Sequence, residues 1–402
     1  MNIFEKAFCR VYQFAFHAAL PVLPYREPKI LKNVADIADV IEKTGYTSAI
    51  LVTDSYMKES GATKRLEDAL SAKGIGCAVY HRTRPNPTVY NVEEALDMYR
   101  DKGCQCIIAF GGGSAMDCAK ALGARVAYKD RSLDKLRGNL KIFRKLPLLF
   151  AVPTTAGTGS EVTVTAVITD PDRKFKYTMN SFPLIPRYAV LDAEVTYSLP
   201  RHLTSTTGMD ALTHAVEAYI GRSTSRETRQ LSKDVAKLVF ENILTAYNEP
   251  ENYNARANML TAAYKAGLAF SKSYVGYVHA VAHSLGGQYN VPHGLANSVL
   301  LPIVLEDYGA VIHKKLYELA VYAGVAHKDD SYAVGAGKFI DGIKELNRTM
   351  GIPEVIEGIS KEDIPLMAKH AHKEGNPLYP VPVLMGAKEL EKFYYAVADW
   401  SK

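Results

Sequence analysis

The chain has 402 residues, 48% hydrophobic and 23% charged, the profile of a soluble globular protein long enough for two domains. A net charge of +5 carried by scattered lysines gives no case for a nucleic-acid partner. The five cysteines, Cys9, Cys77, Cys104, Cys106 and Cys118, form no CxxC pair, which argues against a zinc ribbon or thioredoxin-type site and for reduced thiols in a cytosol.

The first twenty residues are apolar, but Glu5, Lys6, Arg10 and Gln13 interrupt them and no small-residue cleavage site follows. Phe4, Phe8, Val11, Tyr12 and Phe16 recur at helical spacing, so this segment reads as an amphipathic helix packed on the body or on a partner subunit. β-rich runs then alternate with helical patterns. The runs are SAILVTD (48–54), GCAVYH (76–81), CIIAF (106–110) and LLFAVP (148–153); helical patterns lie over Glu59–Lys73 and Val92–Asp101. Such alternation predicts an open parallel sheet with helices on both faces. VTVTAVITD (162–170) and KFKYTMN (174–180) read as a hairpin around Asp170-Pro171-Asp172. After Leu199-Pro200 the β signal ends. Helical patterns follow over Met209–Tyr219, Glu227–Leu244, Ala255–Phe270, Val278–Gly286 and Leu301–Ala323. The expected architecture is α/β plus all-α. Residues 1–195 form a Rossmann-like dinucleotide-binding domain with a helical extension over 1–27, and residues 196–402 a helical metal- and substrate-binding domain. The active site is expected in the cleft between them.

The strand CIIAF runs into Gly111-Gly112-Gly113-Ser114 and a following helix. Free N–H groups and the helix dipole make such a turn an anion site, and glycines let phosphates come close. Asp117, in the first turn, can bond a ribose or a loop hydroxyl. This is not GxGxxG, and a plain tight turn is the competing reading. A second loop, PTTAGTGSE, follows LLFAV and sets Thr154, Thr155, Thr158 and Ser160 beside two glycines. Two glycine–hydroxyl loops at two strand ends point to a diphosphate or ribose. Asp54 ends a strand, where a carboxylate can bond the adenosine ribose and repel a 2′-phosphate, favouring NAD over NADP. Alone, Asp54 is better read as a helix N-cap.

Asp210 and His214 stand four apart in GMDALTHAVEAY, on one face of a helix. Downstream, VHAVAHSLGGQYNVPHG carries His279 and His283, again four apart, and His293 after a turn and Pro292. Three of the chain's 11 histidines thus fall within fifteen positions. A carboxylate with imidazoles suits a divalent ion such as iron or zinc. A solvated helix face and satisfied core histidines are the plainer readings of each residue taken singly.

GGGSAMDCAK, PTTAGTGSE, DALTH and HAVAHSLGGQYNVPHGLANSVLLP resemble the signatures of the iron-containing (group III) alcohol dehydrogenases, in order, from about Thr44 to the C-terminus. The resemblance implies metal ligands at Asp210, His214, His279 and His293, and a non-ligand active-site histidine at His283. It implies cofactor contacts at Asp54, Asn86, Gly112, Gly113, Ser114, Thr154, Thr155, Thr158 and Lys176, and an apolar lid at Phe270. The first 27 residues depart from the short N-terminal strand of that family, and Lys272 stands where a small or amide residue is expected, which bears on the substrate pocket. His370 and His372 are expected on the surface.

The implied activity is hydride transfer between a primary alcohol and NAD with one divalent metal ion, iron before zinc, in a cytoplasmic homodimer with no nucleic-acid or membrane partner. A polyol dehydrogenase is the nearest alternative, with a maleylacetate reductase further off. A dehydroquinate-synthase-like lyase needs cationic residues for a phosphorylated acid. Phe270–Pro302 offers only Lys272.

Overall fold

A computed structural model describes residues 1–19, 23–173 and 175–401. The chain divides into two compact units, Pro24–Leu199 and Met1–Leu23 with Pro200–Lys402. The opening helix α1 (Ile3–Ala19) therefore groups with the helical unit rather than extending the α/β half. Its docking is polar: Arg10 donates to the carbonyls of Val381 and Pro382, and the Gln13 amide to those of Pro377 and Tyr379. The stripe of Phe4, Phe8 and Val11 does not pack on the body and is exposed on the chain. The side chain of Phe16 and residue Lys174 lie outside the described set.

The α/β unit runs β1 (Lys29–Leu31), α2 (Asp36–Thr44), β2 (Ser48–Val52), α3 (Ser55–Glu59), α4 (Lys64–Ala72), β3 (Gly76–Tyr80), α5 (Val89–Asp101), β4 (Cys106–Gly111) and α6 (Gly113–Ala127). It continues through α7 (Leu133–Leu136), β5 (Gly138–Asn139), β6 (Leu148–Pro153), β7 (Thr165–Asp170), β8 (Phe175–Asn180) and β9 (Tyr188–Val190). Six parallel strands take the order β1-β9-β6-β4-β2-β3. Strand β4 lies between β2 and β6 and is buried on both faces, which explains its unbroken apolar run. Ile107 and Ala109 enter one core with α5 and α6, while Cys106, Ile108 and Phe110 enter the other with α2 and α4. Strands β7 and β8 form the expected antiparallel pair, with β5 added parallel to β8. The short strands β1 and β9, three residues each, were not visible in the sequence pattern.

The helical unit contains α8 (Arg201–Ile220), α9 (Arg226–Asn248), α10 (Tyr253–Ser273), α11 (Tyr277–Tyr289) and α12 (His293–Tyr308). Then follow α13 (His313–Tyr322), α14 (Tyr332–Thr349), α15 (Ile364–Gly375) and α16 (Ala387–Val397). The run expected as one helix over Leu301–Ala323 is two, because Gly309 adopts φ +55° and ends α12. From Gly208 to Ile220 every residue of α8 is buried, so this helix is central to its unit. Among the described residues, no helix is long and apolar enough to cross a membrane.

Candidate metal centre and cofactor loops

Helix α8 presents Asp210 and His214 on one face, α11 supplies His279, and His293 is the first residue of α12 rather than a loop residue as the sequence suggested. The start of α12 lies tight on α8: a Cβ on Gly294 would come 2.5 Å from the Thr206 carbonyl oxygen, so only glycine permits the approach. Asp210, His214 and His279 are buried and His293 is half-buried. One ligand atom from each of the four lies within 4.8 Å of the other three. Asp210 Oδ1 is 3.9 Å from His214 Nδ1, 3.8 Å from His279 Nε2 and 3.5 Å from His293 Nε2. Two ligands about 2.1 Å from a tetrahedral ion stand about 3.4 Å apart, so this set is close to a binding geometry.

The polar atoms inside the cluster test that fit. The Asn297 amide donates to Asp210 Oδ1 at 2.7 Å and lies 3.2 Å from His279 Nε2 and 3.1 Å from His293 Nε2. An NH₂ group has two hydrogens, and three acceptors converge on it; converging lone pairs are what a cation requires. His214 Nδ1 is buried without a hydrogen-bond partner. Burial, followed by the neighbouring imidazoles, pulls His279 well below the usual histidine range, and burial also lowers His214 despite Asp210. Both shifts favour the neutral ring, the form that ligates.

Around the cluster, Phe270 of α10 stacks on His214 with ring centroids 4.2 Å apart. His283, one turn beyond His279 on α11, is exposed; its ring stacks on that of His293 at 5.0 Å. Its Nδ1 is 2.6 Å from Glu374 Oε1, which also accepts from the Tyr379 hydroxyl. Burial raises Glu374, but His283 and Tyr379 outweigh it and leave the carboxyl below its ordinary value. Lys272 is paired with Glu227 at 2.6 Å. His370 is exposed, as expected. His372 is half-buried instead, its Nδ1 accepting from the Asn376 amide at 2.9 Å, because α15 packs that side against the segment around Met385.

In the α/β unit the two glycine–hydroxyl loops lie against each other. Gly111, at φ +153°, has no room for a Cβ, which would meet Ala115 Cβ at 2.7 Å. The positions a Cβ would take on Gly112 and Gly113 lie 3.3 Å from Thr155 Cγ2 and 3.1 Å from Thr158 Cγ2. Gly112 is the N-cap of α6 and Ser114 lies in its first turn, so the free N–H groups open beside these threonines. Thr155 Oγ1 is buried and unpartnered. The Thr154 N–H is committed to the Gly111 carbonyl, and the Thr158 hydroxyl accepts from the Ser160 N–H. Asp54 caps α3 through the Met57 N–H, as its plainer reading predicts. Its other oxygen nevertheless stands 3.6 Å from where a Gly111 Cβ would be, over the glycine turn. Asn86 takes φ +57° and accepts from Lys176 Nζ at 2.8 Å; both are exposed. Both oxygens of Asp117 are taken by protein donors, the Ser160 hydroxyl and the Val167 N–H, so it ties down the second loop.

Four residues escaped the sequence reading: Glu217, Asn297, Glu374 and Lys120. Lys120 is fully buried and donates to Ser160 Oγ, to the hydroxyl and carbonyl of Thr163 and to the Thr165 carbonyl, beneath the second loop. Burial, against the pull of Asp117 and Glu161, brings its ammonium down to about 8. Glu217 contacts the four-residue cluster from behind, with Oε2 2.6 Å from His279 Nδ1. Burial raises its carboxyl to about 7 against the N–H groups of Gly276 and Val278.

A parallel sheet whose glycine turn opens on a helix N-terminus, and a helical unit with one carboxylate and three imidazoles converging, define a dinucleotide- and metal-dependent oxidoreductase. The chain belongs to the iron-containing alcohol dehydrogenase family: the family model described as iron-containing alcohol dehydrogenase matches residues 31–193, and that of the family's C-terminal part residues 204–397. It is an oxidoreductase of that family. It is 35% identical to alcohol dehydrogenase 4 of Saccharomyces cerevisiae (strain YJM789), over 84% of this chain and 87% of the relative. To 1,3-propanediol dehydrogenase of Citrobacter freundii it is 37% identical, over 90% and 93% respectively. The crystal structure of sulfoacetaldehyde reductase from Bifidobacterium kashiwanohense in complex with NAD+ superposes with TM-score 0.83 at 30% identity, covering 94% of this chain and 99% of that one.

Proposed function

We propose that this protein interconverts a small primary alcohol and its aldehyde with NAD, using one divalent ion, iron in preference to zinc, held by Asp210, His214, His279 and His293. The observation that carries this reading is the convergence of four ligand atoms within 4.8 Å. When bound, the ion supplies Lewis-acid activation of the hydroxyl or carbonyl oxygen, and NAD supplies the hydride acceptor. Phe270, lying on His214, gives the substrate carbon chain an apolar wall. His283 takes the hydroxyl proton at Nε2 and passes it to solvent, while Glu374 fixes the ring through Nδ1. The N–H groups from Gly112 to Ser114 receive the pyrophosphate, with Thr154, Thr155 and Thr158 on the facing loop. Asp117 serves by holding that loop. Asp54 bonds the adenosine ribose, and Asn86 with Lys176 flanks the nicotinamide end.

The likeness to a propanediol dehydrogenase favours a short diol as the second substrate reading. The lyase reading loses its remaining support, since Lys272 is engaged with Glu227. We read the enzyme as a homodimer and as cytoplasmic, the latter supported by five unpaired thiols. The test is NADH oxidation with butanal, and NAD reduction with 1-butanol, 1,3-propanediol and glycerol, on protein prepared without oxygen and analysed for metal. Full activity after complete removal of metal by a chelator defeats the proposal.

A further inference from the structure

Glu217 lies three residues beyond His214 and seven beyond Asp210, on the same face of α8, yet it points at the back of the cluster. It is 4% exposed. Its two oxygens accept from three donors of α11 and its N-cap: Oε1 from the Val278 N–H at 2.8 Å, and Oε2 from the Gly276 N–H at 2.8 Å and from His279 Nδ1 at 2.6 Å. Helix α11 has no cap from its own N-cap residue, Gly276, so this carboxylate serves as its cap. Gly276 is needed for the approach, because a Cβ there would stand 2.7 Å from Glu217 Oε1.

The Asn297 amide faces His279 Nε2 at 3.2 Å and Glu217, as a carboxylate, accepts at Nδ1, an arrangement that places the ring hydrogen on Nδ1. The lone pair is then left on Nε2, the nitrogen that faces Asp210 Oδ1 at 3.8 Å. We infer that Glu217 is a positioning residue for the metal centre, selecting the tautomer and ring orientation of His279 and fixing α11 against α8. The inference rests on the metal site proposed above. Carboxylates behind ligating imidazoles commonly act in this way, and their loss costs about 10- to 100-fold in metal affinity.

Glu217→Gln tests it. An amide cannot accept from all three donors: its NH₂ must face either His279 Nδ1, which forces the hydrogen onto Nε2, or the Val278 N–H. Full-length apo-protein is titrated with Co²⁺, read by its visible absorption and by competition with a chromophoric chelator; NADH binding is followed by fluorescence on the same samples. Affinity for Co²⁺ should fall about 10- to 100-fold with NADH binding unchanged. Glu217→Asp, which keeps the charge, should fall between the variant and the parent. In a His279→Ala background, Glu217→Gln should cost nothing further, because the ring it orients is gone. If Glu217→Gln does not fold, Glu217→Asp carries the same cycle against His279→Ala. Parental affinity in the folded variants, or an equal loss in the His279→Ala background, overturns the inference. A parent that binds no Co²⁺ overturns the metal site itself.

Discussion

In the proposed function the choice of dinucleotide turns on Asp54, whose two oxygens do separable things. Oδ1 accepts the Met57 N–H at 2.9 Å and caps α3, while Oδ2 lies over the glycine turn beside Gly111. A 2′-phosphate brought to about 5 Å from that carboxylate is repelled by about 1 to 3 kcal/mol per unit of charge, for effective dielectric constants between about 80 and 20. Asp54→Asn removes the charge but keeps an equally good capping oxygen, so α3 should be unaffected. The ratio of kcat/KM with NADPH to that with NADH should rise at least tenfold, equivalent to about 1.4 kcal/mol. Asp54→Gly should shift it similarly, with a few tenths of a kcal/mol lost from the cap. The assay is the initial rate of butanal reduction with each cofactor, beside a thermal melt of each variant. A parent that prefers NADPH, or an Asn variant whose ratio moves less than twofold, refutes the assignment.

His279→Ala and His293→Ala should each lose most bound metal and nearly all alcohol oxidation while still binding NADH, as read by metal content and NADH fluorescence on one sample. His283→Ala should keep its metal but lose about 10²- to 10⁴-fold in turnover, with an altered pH–rate profile; loss of its metal would make it a ligand instead. Glu161 gives a pH test of the second loop. Burial raises its carboxyl to about 7, opposed by its own N–H and by Lys120. The folded state therefore holds an extra proton between about 4.5 and 7, and the stability this contributes is present below 4.5 and lost as the pH rises through 7. In melts across that range, Glu161→Gln should gain on the parent as pH rises; parallel curves would contradict the burial argument.

Motif residues were legible because chemistry fixes both their type and their spacing. Asp210, His214, His279 and His293 converge as a shared ion requires. The parallel sheet was legible because β4 and β6 are covered on both faces and read as unbroken apolar runs. Strands β1 and β9 were not, being three residues long and at or next to the sheet edge. The opening helix was legible as a helix, but periodicity marks an apolar face without naming what covers it, and Arg10 and Gln13 carry its docking on the body. The polar residues behind the site were the hardest to read. Lys120 and Glu161 look like surface charges in sequence, and only burial beneath a loop reveals their part. Glu217 and Asn297 did leave a signal, since Glu217 is seven residues from Asp210 on one helix and Asn297 four from His293 on another. Two polar residues in helical register with ligands, inside stretches otherwise apolar, must find partners when buried, and the ligands are the nearest ones available. On α11 the residue in that register is His283, four from His279, and its Nδ1 turns to Glu374 of α15. Register therefore nominates candidates, and the direction each side chain faces decides which of them reach the cluster.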